Sequence, residues 1–335
     1  MKVAVLAPVA WRTPPRHYGP WEQVASNIAE GLVAHGMEVT LFATGDSLTA
    51  GKLDAVVAKG YEEEKGQDAK VLECLHISNL MEQASSFDLI HNNFDFLPLS
   101  FSKLIKTPVI TTIHGFSSER IVPVYQKYND SGYYVSISDA NRHPSLNYLG
   151  TVYNGLDIDH FTFNATPDDY LLFFGRIHPD KGTAEAIEIA RLSGKKLLIA
   201  GIIQDENYFK NHVEPHLNVD IQFIGSAGPD KRDELLRNAS ALLHPINFAE
   251  PFGMSVAEAM LCGTPVIAFN KGSMPELIRH EKTGFLVNTV DEAVDVISQL
   301  GSINRAYCRE WAGSQFSKEK MAEDYFRLYQ RILGA

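Results

Sequence analysis

The stretch LLHPINFAEPFGMSVAEAMLCGTPVIAFNKGSMPE, residues 242–276, reads as strand, loop, helix, strand, turn and the start of another helix, one repeat of a parallel α/β unit. Polar groups stand where the loop becomes the helix. Glu250 lies on the loop, and Glu258 follows eight positions later inside the helix. Between them, Pro251-Phe252-Gly253-Met254-Ser255 supplies a turn whose backbone N–H groups lack intrahelical partners. Such groups, at the positive end of a helix dipole, take anionic oxygens, while carboxylates accept from hydroxyls. The pattern suits an anion that also carries hydroxyls, and a nucleotide sugar has both parts.

Upstream of it, GRIHPDKG (Gly175 to Gly182) directly follows the apolar run LLFF. A strand that ends in Gly-Arg, with Lys-Gly shortly after and a helix beyond, puts two cations at the carboxyl edge of a parallel sheet, where open α/β sheets bind ligands. Arg176 offers a bidentate fork and Lys181 a point charge, a pair suited to a diphosphate. From Tyr170 onward the runs LLFFG, KLLIAG, IQFIG, ALLHP, PVIAF and GFLV are strand candidates. They alternate with helical patterns near 183–192, 230–238, 255–262 and 291–300.

The first half repeats the alternation. Val3 to Leu6, Val39 to Phe42, FDLIH (87–91), PVITTIH (108–114) and YYVSIS (133–138) read as strands, with helices over 24–35 and 71–84 and a polar insert near 61–70. Two doubly wound units in tandem follow, with a cleft between them as the expected ligand site. The boundaries fall at 1–155 for the first domain and 156–316 for the second. The last helix, 317–335 with Tyr325, Phe326 and Tyr329, is expected to pack back on the first domain. No G-x-G-x-x-G follows the first strand, which disfavours a dinucleotide oxidoreductase. The Asp157-x-Asp159 pair beside Asn154-Gly155 reads as a turn rather than a metal site.

With 335 residues, 45% hydrophobic and 21% charged, the chain can bury a sizeable core. A net charge of −11 argues against a nucleic-acid binder relying on a broad basic surface. Cys74, Cys262 and Cys308 are scattered in neither a metal-ligand nor a disulfide spacing, so a cytoplasmic protein is expected. No segment approaches the roughly 20 apolar residues of a membrane span, and any membrane contact would be peripheral.

Gly-Arg, four residues, Lys-Gly, and about seventy residues later Glu, seven residues, Glu: this order resembles the retaining glycosyltransferases of the GT-B fold, in particular family 4. The Tyr18-Gly19 loop ahead of Glu22, FDLIH, TTIHG, VSIS, YNGLDIDHF and SMPELI fall where that family's landmarks fall, so the resemblance covers nearly the whole chain. It implies two Rossmann-like domains. It further implies transfer of a hexosyl unit from a nucleoside-diphosphate sugar, UDP favoured, to a hydroxyl of a saccharide or other small acceptor. Retention at the anomeric carbon, and no cofactor or essential metal, go with it. By the same resemblance Arg176 and Lys181 bind the donor diphosphate and Glu250 the transferred sugar. Phe252, Gly253, Met254 and Ser255 give backbone contacts, Glu258 holds the ribose, Gly19 admits the phosphates and His114 faces the reacting carbon. A departure stands at Pro20, where many members have a second glycine, so one N–H donor is lost. The loop before it carries Arg12, Arg16 and His17, which are read as an alternative means of shaping the acceptor side. A nucleotide-sugar epimerase, a glycosyl phosphorylase and a non-catalytic nucleotide-sugar binder are the alternatives.

Overall fold

The structure, a computed structural model, describes residues 1–16, 19–116 and 118–334. His17 and Tyr18, both on the loop singled out above, lie outside the described residues. The chain divides into two compact units, Met1–Leu156 with Ser317–Ala335, and Asp157–Phe316.

The first unit holds a seven-stranded sheet: β1 (Lys2–Leu6), β2 (Glu38–Phe42), β3 (Lys52–Asp54), β4 (Leu89–Asn92), β5 (Val109–Ile113), β6 (Tyr133–Ser136) and β7 (Tyr148–Thr151). Their spatial order is β3-β2-β1-β4-β5-β6-β7, and every ladder is parallel, with Val3 opposite Val39 on one side and Leu89 on the other. Helices Pro20–Ala34 and Ala69–Glu82 are among the crossovers that cover its faces. Strands covered on both faces are largely apolar, and the last four residues of β1 and all of β4 and β5 are buried, including the polar His91, Asn92, Thr111 and Thr112.

The terminal helix Lys318–Leu333 belongs to this unit and packs on Pro20–Ala34. Its buried face carries Met321, Ala322, Tyr325, Leu328 and Tyr329. The two tyrosines enter a buried polar chain. His91 Nδ1 is 2.7 Å from Tyr329 Oη, His91 Nε2 is 2.7 Å from Thr112 Oγ1, and Thr112 Oγ1 is 2.7 Å from Tyr325 Oη. His91 is thus a fully satisfied core histidine that ties the terminal helix to the middle of the sheet.

The second unit holds β8 (Tyr170–Phe174), β9 (Lys196–Ala200), β10 (Ile221–Gly225), β11 (Ala241–His244), β12 (Val266–Phe269) and β13 (Gly284–Val287). Their order is β10-β9-β8-β11-β12-β13, again all parallel, with Leu242 between Leu172 and Val266. Each sheet is a Rossmann-like, doubly wound parallel sheet. The chain leaves β8 toward β9 on one side and β11 toward β12 on the other, so the gap beyond the carboxyl ends of β8 and β11 is the sheet's switch point.

Several elements escaped the sequence reading, among them the short helix Val122–Lys127. β3 and β7 are short edge strands. Helix Arg305–Phe316 buries Cys308, Ala312 and Phe316, an i, i+4, i+8 stripe whose small members hide it from hydropathy. Its first residue, Arg305, is buried and donates to the carbonyls of Asn164, Ala239 and Arg237 and to Thr264 Oγ1. An arginine at a helix start reads as surface in sequence, yet here its fork joins four segments.

Candidate active site

The site residues of the second unit converge on the switch point between β8 and β11. Gly175 follows β8 and starts the loop carrying Arg176 and Lys181; His244 ends β11 and starts the loop carrying Glu250. The two loops are stitched together. Asn247 N–H donates to the Asp180 carbonyl at 2.7 Å, and Asn247 Nδ2 donates to the Pro179 carbonyl at 3.2 Å and to Glu185 Oε1 at 2.7 Å. Gly182, at φ +74°, passes so close beneath the other loop that a Cβ there would stand 1.8 Å from the Pro245 carbonyl oxygen.

Lys181 Nζ forms an ion pair with Glu250 Oε2 and stands 4.7 Å over the Phe248 ring. Two residues 69 apart in sequence are thereby in contact, with their side chains only 15% and 12% exposed. His244 Nε2 lies 3.7 Å from the same carboxylate oxygen. Burial, then the nearby Lys181 charge, pushes the His244 imidazole down to about 3, so it is neutral and adds no charge to the pair. Glu250 is held from behind: Ser273 N–H donates to its carbonyl at 3.0 Å, and Ser273 Oγ donates to the Phe252 carbonyl at 2.6 Å. The Ser273 of the SMPE turn is therefore a brace for the loop.

Arg176 donates to Gln204 Oε1 rather than to Asp180, which stands 3.4 Å from His178. Helix Met254–Leu261 begins after Gly253 in the left-handed region, and the N–H groups of Met254 and Ser255 have no acceptor among the described residues. Glu258 on that helix is buried, and Arg232 NH1 meets its Oε1 at 3.2 Å. A buried carboxylate requires such a partner. Nothing in the sequence marks Arg232, one charge among several on helix Pro229–Asn238. Among the described residues, no group of three or more His, Cys, Asp or Glu side chains is placed to hold a metal ion.

Gly19 and His114 lie in the first unit. Gly19 precedes helix Pro20–Ala34 at φ +149°, and a Cβ there would meet Pro15 Cβ at 2.9 Å, so its loop's own packing already calls for glycine. Arg16 pairs with Asp46 at 3.0 Å and Glu63 at 2.7 Å, fastening the loop to the polar insert. Glu22 is buried below this loop and accepts from Trp11 N–H at 3.2 Å; burial raises its carboxyl to about 7. His114 follows β5, with Nε2 3.1 Å from Asn93 Oδ1 and its ring stacked on Trp21 at 5.8 Å.

These buried groups set an acid limit on the fold. Burial lowers His76 to about 4 and His91, His114 and His244 to about 3. In the unfolded chain they titrate near 6.5, so the unfolded state binds more protons below that value, and the stability is complete above about pH 6.5 and lost as pH falls toward about 3. Glu22 and Asp95, the latter raised by burial to about 6, act in the opposite sense, since the folded state takes up their protons first. Four histidines outweigh two carboxyls. The urea midpoint is expected to be lower at pH 5.5 than at pH 7, and an equal or higher midpoint at pH 5.5 would contradict neutral buried histidines.

Residues 157–311 match the family described as Glycosyl transferases group 1, and residues 21–159 match Glycosyltransferase Family 4. The chain is 24% identical to an uncharacterized glycosyltransferase of Methanocaldococcus jannaschii, over 86% of this chain and 85% of the relative. It is 28% identical to the D-inositol 3-phosphate glycosyltransferase of Mycobacteroides abscessus over 56% of this chain, spanning about half, 47%, of that relative. Among solved structures it is similar to Anabaena HepE in complex with UDP and glucose, with a TM-score of 0.73 at 18% identity, over 99% of this chain and 100% of that one. No helix among the described residues is long and apolar enough to cross a membrane.

Proposed function

Because the chain belongs to the group 1 glycosyltransferases, with a family 4 amino-terminal half, we propose that it moves a hexosyl unit from a UDP-sugar to a hydroxyl of a saccharide or other small acceptor with retention at the anomeric carbon. The observation that carries this is the convergence of Lys181 and Glu250 beside the unpaired N–H groups of Met254 and Ser255 at one switch point. A cation and free amides suit a diphosphate; a carboxylate suits sugar hydroxyls. The HepE complex with UDP supports uridine as the base.

In this reading Arg176 and Lys181 neutralise the charge that grows on the departing diphosphate, a transition-state contribution that calls for no metal. Glu250 accepts from hydroxyls of the transferred sugar, and Phe252, Gly253, Met254 and Ser255 supply backbone contacts. Arg232 meets Glu258 at Oε1, and Glu258 accepts from the ribose hydroxyls. His114 is the catalytic histidine proposed for the first unit. The acceptor oxygen attacks the anomeric carbon on the face from which the diphosphate leaves: the carbon–phosphate-oxygen bond breaks, the glycosidic bond forms, and the acceptor's proton passes to the departing phosphate.

Thermal shift with UDP, GDP and ADP tests the donor, since a ligand that binds the native state raises its stability. UDP is expected to give the largest shift, and no shift with any of the three would refute the nucleotide reading. Glu258→Ala is expected to weaken UDP binding about tenfold or more by calorimetry, the loss of a charge-assisted hydrogen bond. Unchanged UDP affinity would remove Glu258 from the ribose site.

A further inference from the structure

His244 carries a buried ring nitrogen that the fold leaves without a partner, beside a carboxylate that the proposed reaction must release. It is the last residue of β11, set opposite Ala268 in the β12 ladder, and it is 5% exposed. Its Nε2 has no hydrogen-bond partner, yet it lies 3.7 Å from Glu250 Oε2, the same oxygen that Lys181 Nζ holds. An N–H···O bond is about 2.9 Å long, so a shift of roughly 0.8 Å would join the two groups.

Of the two groups, the carboxylate is the one free to turn. The Glu250 backbone is pinned: its carbonyl accepts from Ser273 N–H at 3.0 Å, and Gly272 passes so close that a Cβ there would stand 2.3 Å from its nitrogen. His244 is pinned by the ladder and by burial. At rest the carboxylate turns to Lys181, because an ammonium outcompetes a neutral imidazole for a negative oxygen. The ring is neutral, since burial and then the Lys181 charge lower it to about 3. A neutral imidazole has one N–H, and with a carboxylate before it Nε2 is the nitrogen that carries it, because a bare Nε2 would oppose lone pair to lone pair. A donor is thus held beside Glu250, unused while Lys181 is there.

We propose that His244 is a positioning residue that takes over the Glu250 carboxylate when Lys181 turns to the donor diphosphate. This rests on the sugar-transfer reading for the word diphosphate. The handover removes two costs together. The released carboxylate, only 12% exposed, is not left without a partner, and Nε2 gains the bond it lacks. It also aims Glu250: a single N–H on a fixed ring holds one oxygen, and the carboxylate keeps further lone pairs for sugar hydroxyls. His244 touches neither donor nor acceptor in this scheme and acts through Glu250 alone.

Two variants isolate the donor. His244→Phe keeps an aromatic ring without an N–H, and His244→Gln sets an amide N–H near the place of Nε2. With UDP-glucose, His244→Phe is expected to lower kcat about tenfold or more, the size of one hydrogen bond to a charged group, and His244→Gln to stay within about threefold of wild type. A ring that only fills space predicts the reverse order, and that order, or equal turnover in both variants, overturns the proposal. Nitrogen resonances of the native ring give a readout that needs no His244 variant to fold. In Lys181→Ala, which removes the competing cation and uses no nucleotide, the His244 Nε2 nitrogen and its proton are expected to move to the positions of a hydrogen-bonded imidazole N–H. Saturating UDP is expected to move them the same way in wild type. Resonances unmoved in Lys181→Ala overturn the handover whatever the kinetics. A move in Lys181→Ala without one on adding UDP supports the His244 contact with Glu250 and refutes the diphosphate role of Lys181 alone.

Discussion

Lys181→Ala and Arg176→Ala should each lower kcat/KM for sugar transfer from UDP-glucose by about 10²-fold or more, the size associated with losing one preorganised group from a developing negative charge. The structure sharpens the case for Lys181. Its ammonium is set between Glu250 and the Phe248 ring, with both partners of the ion pair mostly buried, so its position is fixed before any donor arrives. The pair also satisfies itself in the absence of a diphosphate, which means the donor must compete for Lys181 and release Glu250 for the sugar. The loss should therefore appear mainly in kcat, with the melting temperature measured alongside, because removing Lys181 leaves a mostly buried carboxylate unpaired. Turnover within a few-fold of wild type in both variants would sink the diphosphate assignment. Arg176 is expected to behave alike, although its present partner, Gln204, is neutral.

Gly182→Ala should destabilise the second unit by about 3 kcal/mol or more, combining the cost of a left-handed alanine with an overpacked contact. The added methyl would lie 1.8 Å from the Pro245 carbonyl oxygen, which is backbone and has no rotamer by which to yield. Relief requires the loops after β8 and β11 to part. Lys181 is adjacent to Gly182, so the same movement should draw it away from Glu250 and reduce transfer. A melting temperature within one degree of wild type would show that the loops separate freely and that their stitching does not hold the site.

The alternation of apolar runs and helical patterns made both doubly wound sheets readable, because parallel strands covered on two faces must be apolar almost throughout. Among the elements missed were some whose burial leaves little hydrophobic trace: edge strands of three and four residues, and helix Arg305–Phe316 with its stripe of Cys308, Ala312 and Phe316. In the candidate site, the charged residues and turn glycines proposed for ligand chemistry were chosen from type and spacing around Gly253 and Gly182. Their supports were not. Asn247, Ser273 and Arg232 are ordinary polar residues whose importance comes from which carbonyl or carboxylate happens to lie opposite. His244 is the same case, a histidine at a strand end until its ring nitrogen is found without a partner.

Local chemistry, written in the order of residues, specified the fold class, the two units and the kinds of group at the carboxyl ends of β8 and β11. Periodicity and turn residues act over a few positions and need no knowledge of the rest of the chain. Strand order is another matter: that β8 lies beside β11, and not beside the β10 that precedes it by sequence, arises only when the sheet forms. That adjacency brings Lys181 against Glu250 across 69 residues, while helix packing pairs Glu258 with Arg232 and the β4–β5 ladder of the first unit sets Asn93 beside His114. Burial then decides their charge states and leaves their unfilled valences, because desolvation and pairing are properties of a packed volume and not of a sequence.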